Sequence, residues 1–131
     1  LAWGCYRERS EKNILVSFDA RMEEIYWGAF QIENDQLTLV SEERVVSPTN
    51  VPSVANEGNW FGAGTGWKYA EQIVGANPAV SRYEPNLFPH ARYIAELAER
   101  EYYAGRVVDA EHALPVYLRD SVAWKKLPGR E

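Results

Sequence analysis

Three stretches of this sequence hold side chains whose types and spacing suit chemistry. The first is Phe18-Asp19-Ala20-Arg21-Met22-Glu23-Glu24, where three acids and a base crowd a short polar break between apolar runs. Asp19 and Arg21 can form an ion pair or meet a ligand phosphate. Alternatively, Asp19 hydrogen-bonds the turn backbone while Arg21 rests its stem on the surface and stays solvated. The second reading takes precedence, because acidic side chains in hairpin turns commonly serve in that way. Glu23 and Glu24 are adjacent and point to opposite faces of a strand, so at most one of them can face a site. The second stretch is Gly62-Ala63-Gly64-Thr65-Gly66. A strand, a glycine turn and a helix in succession present backbone N–H groups to a phosphate, which makes Gly64, Thr65 and Gly66 candidates for binding one. The spacing is not that of a dinucleotide fingerprint, and no Lys-Ser/Thr pair follows. The same glycines would permit a tight turn and close helix–sheet packing. The third stretch, Trp124-Lys125-Lys126, joins an aromatic to two cations, which suits stacking on a base beside a phosphate or anchoring a tail.

Other chemistries find few residues. The histidines are His90 and His112, with no partner histidine at i+4, and Cys5 is the single cysteine, so a zinc site is disfavoured. His112 with Glu111 reads as a surface or strand-edge pair. No serine occupies a Gly-x-Ser-x-Gly elbow, and Cys5 falls in a helix.

The elements that must position these groups begin with Ile14–Phe18, an apolar run rich in branched residues that suits a strand buried on both faces. Asp19–Glu24 reads as the turn and Ile25–Ile32 as the antiparallel neighbour. Glu33–Gln36 is a polar turn into a third strand, Leu37–Val40, which completes a meander. A short helix is expected near Pro52, closed by Asn56-Glu57-Gly58. A strand precedes the glycine turn and a helix, Trp67–Val74, follows it. Residues 75–86 read as loop. The strongest helical pattern runs from Pro89 to Ala104, with Leu87, Ala91, Ile94, Ala95, Ala98 and Tyr102 forming its apolar stripe. Glu96 and Arg100 are expected to pair on its exposed side. From Val107 to Arg119 the chain is extended, and Pro115 argues against a regular central strand there.

The totals bound the class. A length of 131 residues with 46% hydrophobic and 13% aromatic content fits one packed α/β domain with a mixed sheet. The net charge of −5 argues against a broad nucleic-acid surface. Residues 1–118 hold 10 basic and 17 acidic side chains, whereas residues 119–131 hold 4 and 2, so any polyanion contact is expected at the tail. One cysteine fits a reducing cytoplasm, and no apolar run approaches the ~20 residues of a membrane span. The first residues, Leu1 to Arg9, read as the end of a helix without a cap, as in a fragment of a longer protein.

Phe18-Asp19-Ala20-Arg21-Met22-Glu23-Glu24-Ile25-Tyr26-Trp27, Gly64-Thr65-Gly66-Trp67 and Glu111-His112-Ala113-Leu114-Pro115-Val116-Tyr117-Leu118-Arg119, followed by Val122 to Gly129, resemble the C-terminal half of the TsaB (YeaZ) family. The resemblance implies an RNase-H-like domain of the actin-like ATPase (ASKHA) class, with helices packed on its mixed sheet. Residues 1–12 would then end an interdomain helix, 13–118 form the domain and 119–131 a basic tail. It implies a non-catalytic subunit for threonylcarbamoyl transfer to adenosine 37 of tRNA, acting with TsaD and TsaE mainly through an N-terminal domain. ATP, ADP and metal are then expected on the partner subunits and no cofactor on this chain. A homodimer and a weak tRNA contact through the tail stay open. The alternatives are a glycoprotease-like peptidase and an ATP-binding phosphotransferase. In catalytic relatives the loop equivalent to Asp19–Glu24 is glycine-rich and cradles phosphates, while the later glycine turn faces adenosine. Here Ala20-Arg21-Met22 replaces the first loop's glycines. Asp19, Arg21, Glu24, Tyr26, Tyr117, Arg119, Trp124, Lys125 and Lys126 therefore become candidates for structural or partner contacts.

Overall fold

The computed structural model describes residues 1–119. Its centre is β1 (Asn13–Arg21), in which Ile14, Leu15, Val16 and Ser17 are all buried. Alternation sends Ile14 and Val16 to one face and Leu15 to the other, so a run without polar breaks fills two cores at once. Strands β2 (Glu24–Glu33) and β3 (Gln36–Val46) follow as antiparallel neighbours, and β4 (Trp60–Ala63) and β5 (Val80–Glu84) join in parallel on the other side of β1. The order across the sheet is β3-β2-β1-β4-β5. Leu15, Trp27, Trp60, Trp67 and Ile73 make the core on one face. Trp3, Cys5, Val16, Phe61 and Tyr93 make the core on the other.

The meander is as expected, with tighter turns. Asp19 to Arg21 belongs to β1, and only Met22-Glu23 links it to β2. The next link is Asn34-Asp35, both at positive φ, a conformation that Asn and Asp tolerate well. β3 runs on to Val46, beyond the expected end at Val40, because its register with β2 continues through two irregularities.

No helix begins at Pro52. The regular piece there is a 3₁₀ turn at Pro48–Asn50, and the following segment is held by Asn77. The Asn77 carboxamide oxygen accepts from the backbone N–H of Val54 (2.8 Å) and of Ala55 (2.9 Å). Its amide nitrogen donates to the carbonyls of Pro52 (3.0 Å) and Ile73 (3.2 Å). This fully buried side chain supplies partners that a helix would have supplied. The helix after the glycine turn also starts later, since Thr65–Tyr69 is 3₁₀ and α2 spans Ala70–Ala76. Residues 80–84, expected as loop, form the edge strand β5. Val80 is its only buried residue, so the strand leaves little hydrophobic trace in the sequence.

Two helices, α1 (Ala2–Arg9) and α3 (Ala91–Tyr103), cover the second face. The expected apolar stripe of α3 faces outward, with Ile94 62% and Tyr102 67% exposed. The inward stripe is instead Tyr93, Glu96, Leu97 and Arg100. The Tyr93 ring packs over Gly4 of α1 and its hydroxyl donates to Glu8 (2.7 Å). Glu96 accepts from the Trp3 indole (2.8 Å) and pairs with Arg7, so it is not the partner of Arg100. Arg100 stacks over Trp3 and pairs with Asp35. Amphipathic side chains each satisfy a polar tip and bury an apolar stem, and this seam outcompetes the smaller alanines.

Candidate functional site

The end of β1, the turn after it and the glycine turn after β4 meet at the C-terminal ends of these two neighbouring strands. The Asp19 carboxylate leaves β1 beside the 3₁₀ segment Thr65–Tyr69, where Lys68 donates to it at 2.8 Å. Its other oxygen accepts the Arg21 backbone N–H at 3.0 Å. The Asp19 backbone N–H in turn donates to the Thr65 hydroxyl (3.0 Å). Asp19 therefore serves the turn backbone, as expected, and its ionic partner is Lys68, not Arg21. Arg21 is solvent-exposed. Lys68 was missed in the sequence because nothing marks it except its place in the first turn after Gly66.

The glycines serve packing. Gly64 has φ 111°, and a Cβ there would strike the Ser17 carbonyl. A Cβ on Gly66 would lie on the Ser17 side chain, and one on Gly62 inside the Trp67 ring. Three glycines thus let the turn lie against β1, with the Trp67 indole donating to the Leu15 carbonyl at 3.0 Å. Two backbone donors at the turn are engaged. Gly64 N–H bonds the Glu84 carbonyl and Trp67 N–H bonds Gly64.

Arg119 and Glu24, two separate candidates in the sequence, are brought together at 2.9 Å. Arg119 also donates to the Ala20 carbonyl (3.0 Å), which ties residue 119 to the turn. Arg21, Met22 and Glu23 all have positive φ, a conformation that costs non-glycine residues roughly 1 kcal/mol each. The bonds from Arg119 and Asp19 hold it. Tyr26 is half-exposed on β2, and Tyr117 is exposed, away from this cluster's hydrogen bonds. Trp124, Lys125 and Lys126 lie outside the described residues.

Other reactive groups stand apart. His112 is exposed and bonds Asp109, not Glu111. Burial pushes the Cys5 thiol up to about 11, so the thiolate is scarce at neutral pH. Among the described residues no three His, Cys, Asp or Glu side chains gather as metal ligands. No described helix is long and apolar enough to cross a membrane.

The Lys68 ammonium, then the Arg21 N–H, hold the Asp19 carboxyl below its ordinary range. A lowered folded-state pKa gives stability that is present above the unfolded value of about 4 and lost as pH falls through the folded value. Asp19→Asn is therefore expected to remove part of the acid limb of stability, leaving a flatter profile below about pH 4. Urea midpoints measured at stepped pH check this. An unchanged slope would show that the pair is idle.

The chain as a whole is similar to known proteins. The chain is 36% identical along its whole length to the tRNA threonylcarbamoyladenosine biosynthesis protein TsaB of Escherichia coli. It is 32% identical, again over its whole length, to TsaB of Haemophilus influenzae. The chain is thus similar to TsaB (YeaZ) proteins over part of their length. It spans 58% of the length of these curated relatives. A crystal structure of a Pseudomonas aeruginosa protein described as similar to peptidase YeaZ superposes with a TM-score of 0.80 at 40% identity, covering 91% of this chain and 55% of that one. YeaZ from the same organism gives 0.80 at 38% identity, over 89% of this chain and 55% of its own. No family model matches the chain. The Asp19–Trp27 and Gly64–Trp67 motifs occur in one chain. The geometry adds that the two motifs are bonded to each other.

Proposed function

We propose that this chain is the ASKHA-like C-terminal domain of a non-catalytic subunit for threonylcarbamoyl transfer to adenosine 37 of tRNA. The observation that carries the reading is the closed junction between the two loops. In a nucleotide-binding relative a phosphate would lie between them. Here the Asp19 N–H is taken by Thr65, the Asp19 carboxylate by Lys68, and the Gly64 and Trp67 N–H groups by carbonyls. The Asp19 carboxylate repels anions and neutralises the Lys68 ammonium. The sheet order, with an antiparallel meander followed by parallel strands on the other side of β1, supports an RNase-H-like assignment. Transfer chemistry, ATP and metal then belong to TsaD and TsaE, with this subunit as their scaffold in the cytoplasm. A peptidase reading finds no activated nucleophile among the described residues.

Titration of the protein with ATP and Mg²⁺ in a calorimeter tests the proposal. No micromolar binding is expected. Lys68→Ala in a reconstituted transfer assay with TsaD and TsaE is expected to leave the rate within a small factor of the parent. Micromolar ATP binding that Lys68→Ala abolishes would sink the scaffold reading.

A further inference from the structure

Arg9 and Arg82 come from distant parts of the chain and converge on one ring. Each guanidinium carbon lies 5.5 Å from the centre of the Phe61 ring, so the two are no further apart than twice that distance. Neither residue is there by default. α1 ends at a left-handed Ser10 (φ 56°), whose N–H bonds the Tyr6 carbonyl, and this turn leaves Arg9 over the second face of the sheet. β5 carries an irregularity against β4. Trp60 pairs with Val80 but Phe61 with Arg82, so Ser81 is left over. Without that extra residue Arg82 would follow Val80 into the first core, since alternate residues of a strand share a face. Bulges re-aim side chains in this way. Glu11, nearly buried, then pins the re-aimed guanidinium at 2.7 Å.

The cations here are only partly answered. Glu11 is taken by Arg82, and Glu8 turns to the Tyr93 hydroxyl, over whose ring Arg92 also lies. Arg9 has no carboxylate partner among the described residues. An aromatic face attracts a guanidinium but does not satisfy its five N–H donors. Two such cations on one ring also repel each other, a cost that an anion between them removes. Both stay within reach of solvent, Arg9 being exposed and the Arg82 side chain 53% so.

We propose that Arg9 and Arg82 form a clamp for a phosphoryl group, with Phe61 as its apolar floor and Glu11 positioning Arg82. A tetrahedral oxyanion offers several acceptors to two planar forks, the pairing in which guanidinium surpasses ammonium. The clamp stands apart from the assignment of function, because it lies on the second face and shares no residue with the Asp19–Lys68 junction.

Inorganic phosphate titrated into the isotope-labelled 131-residue chain at fixed ionic strength tests it, with chloride as the control. The Nε–H signals of Arg9 and Arg82, assigned by their loss in Arg9→Gln and Arg82→Gln, are expected to shift together with one Kd. Arg9→Gln breaks no ion pair among the described residues and is expected to weaken binding about tenfold. Arg9→Lys keeps the charge without the fork and should recover only part of that loss. A fluorescent tRNA transcript titrated against the same variants identifies the source of the phosphoryl group. A several-fold loss of affinity in Arg9→Gln, with the salt slope reduced by about 1, assigns the clamp to an RNA backbone. Weakened phosphate binding with unchanged RNA affinity assigns it to a small phosphorylated molecule. Shifts no larger than those with chloride, or phosphate binding undiminished in Arg9→Gln, overturn the proposal.

Discussion

Asn77→Ala is expected to lower stability by about 3 kcal/mol, because two backbone donors lose their acceptor and each buried orphan costs about 1–3 kcal/mol. Val54 and Ala55 have no helix or strand to fall back on, so the segment before β4 would loosen together. Against a total of about 5–15 kcal/mol, that loss is large. Urea unfolding followed by circular dichroism measures it. Asn77→Asp separates hydrogen bonding from volume. Its carboxylate keeps an acceptor for Val54 and Ala55 but turns oxygen toward the carbonyls of Pro52 and Ile73. Burial with no cation nearby raises its folded pKa, so the penalty is present at neutral pH and vanishes below the unfolded value of about 4. A penalty independent of pH would show that Asn77 acts by shape alone.

Gly66→Ala is expected to cost about 3 kcal/mol, the upper end of what an overpacked methyl does. The added carbon would fall 2.7 Å from the Ser17 Cβ and 2.9 Å from its carbonyl carbon, and strand β1 cannot retreat because it is paired on both sides. The Ser17 hydroxyl has no hydrogen-bond partner among the described residues, so little polar stabilisation is lost by removing it. Ser17→Gly in the Gly66→Ala background should therefore restore about 1 kcal/mol, a coupling of the size seen between touching residues. Chemical denaturation of the two single variants and the double variant completes the cycle. Additive costs would mean that the clash lies elsewhere.

What was legible in the sequence was whatever a period or a turn residue recorded. Ile14–Ser17 announced a strand buried on both faces, and Asn34-Asp35 announced a hairpin. Asn77 carried no such mark, since an Asn beside Pro78 reads as a turn residue and only distant backbone groups reveal its work. The face of α3 misled for a related reason. Tyr93, Glu96 and Arg100 bury aliphatic and aromatic stems while their tips reach Glu8, Trp3 and Asp35, and a count of apolar residues cannot see that. At the candidate site, Asp19, Glu24, Thr65 and Arg119 were visible as residues but their pairing was not. Lys68–Asp19 joins positions 49 residues apart and Arg119–Glu24 positions 95 apart, links that only the crossover from the meander to β4 and the return of the chain after α3 create.

The sheet order has a consequence for how this chain behaves among its own copies. As the outermost strand, β3 leaves one row of backbone N–H and C=O groups without a neighbouring strand among the described residues. Such a row is a template for edge-to-edge aggregation. Its middle reads Ser41-Glu42-Glu43-Arg44, and its pairing with β2 is interrupted twice, between Trp27 and Ala29 and again before Phe30. Charges and irregular register both discourage a foreign strand from adding on, so the longest strand of the sheet is kept open without becoming adhesive.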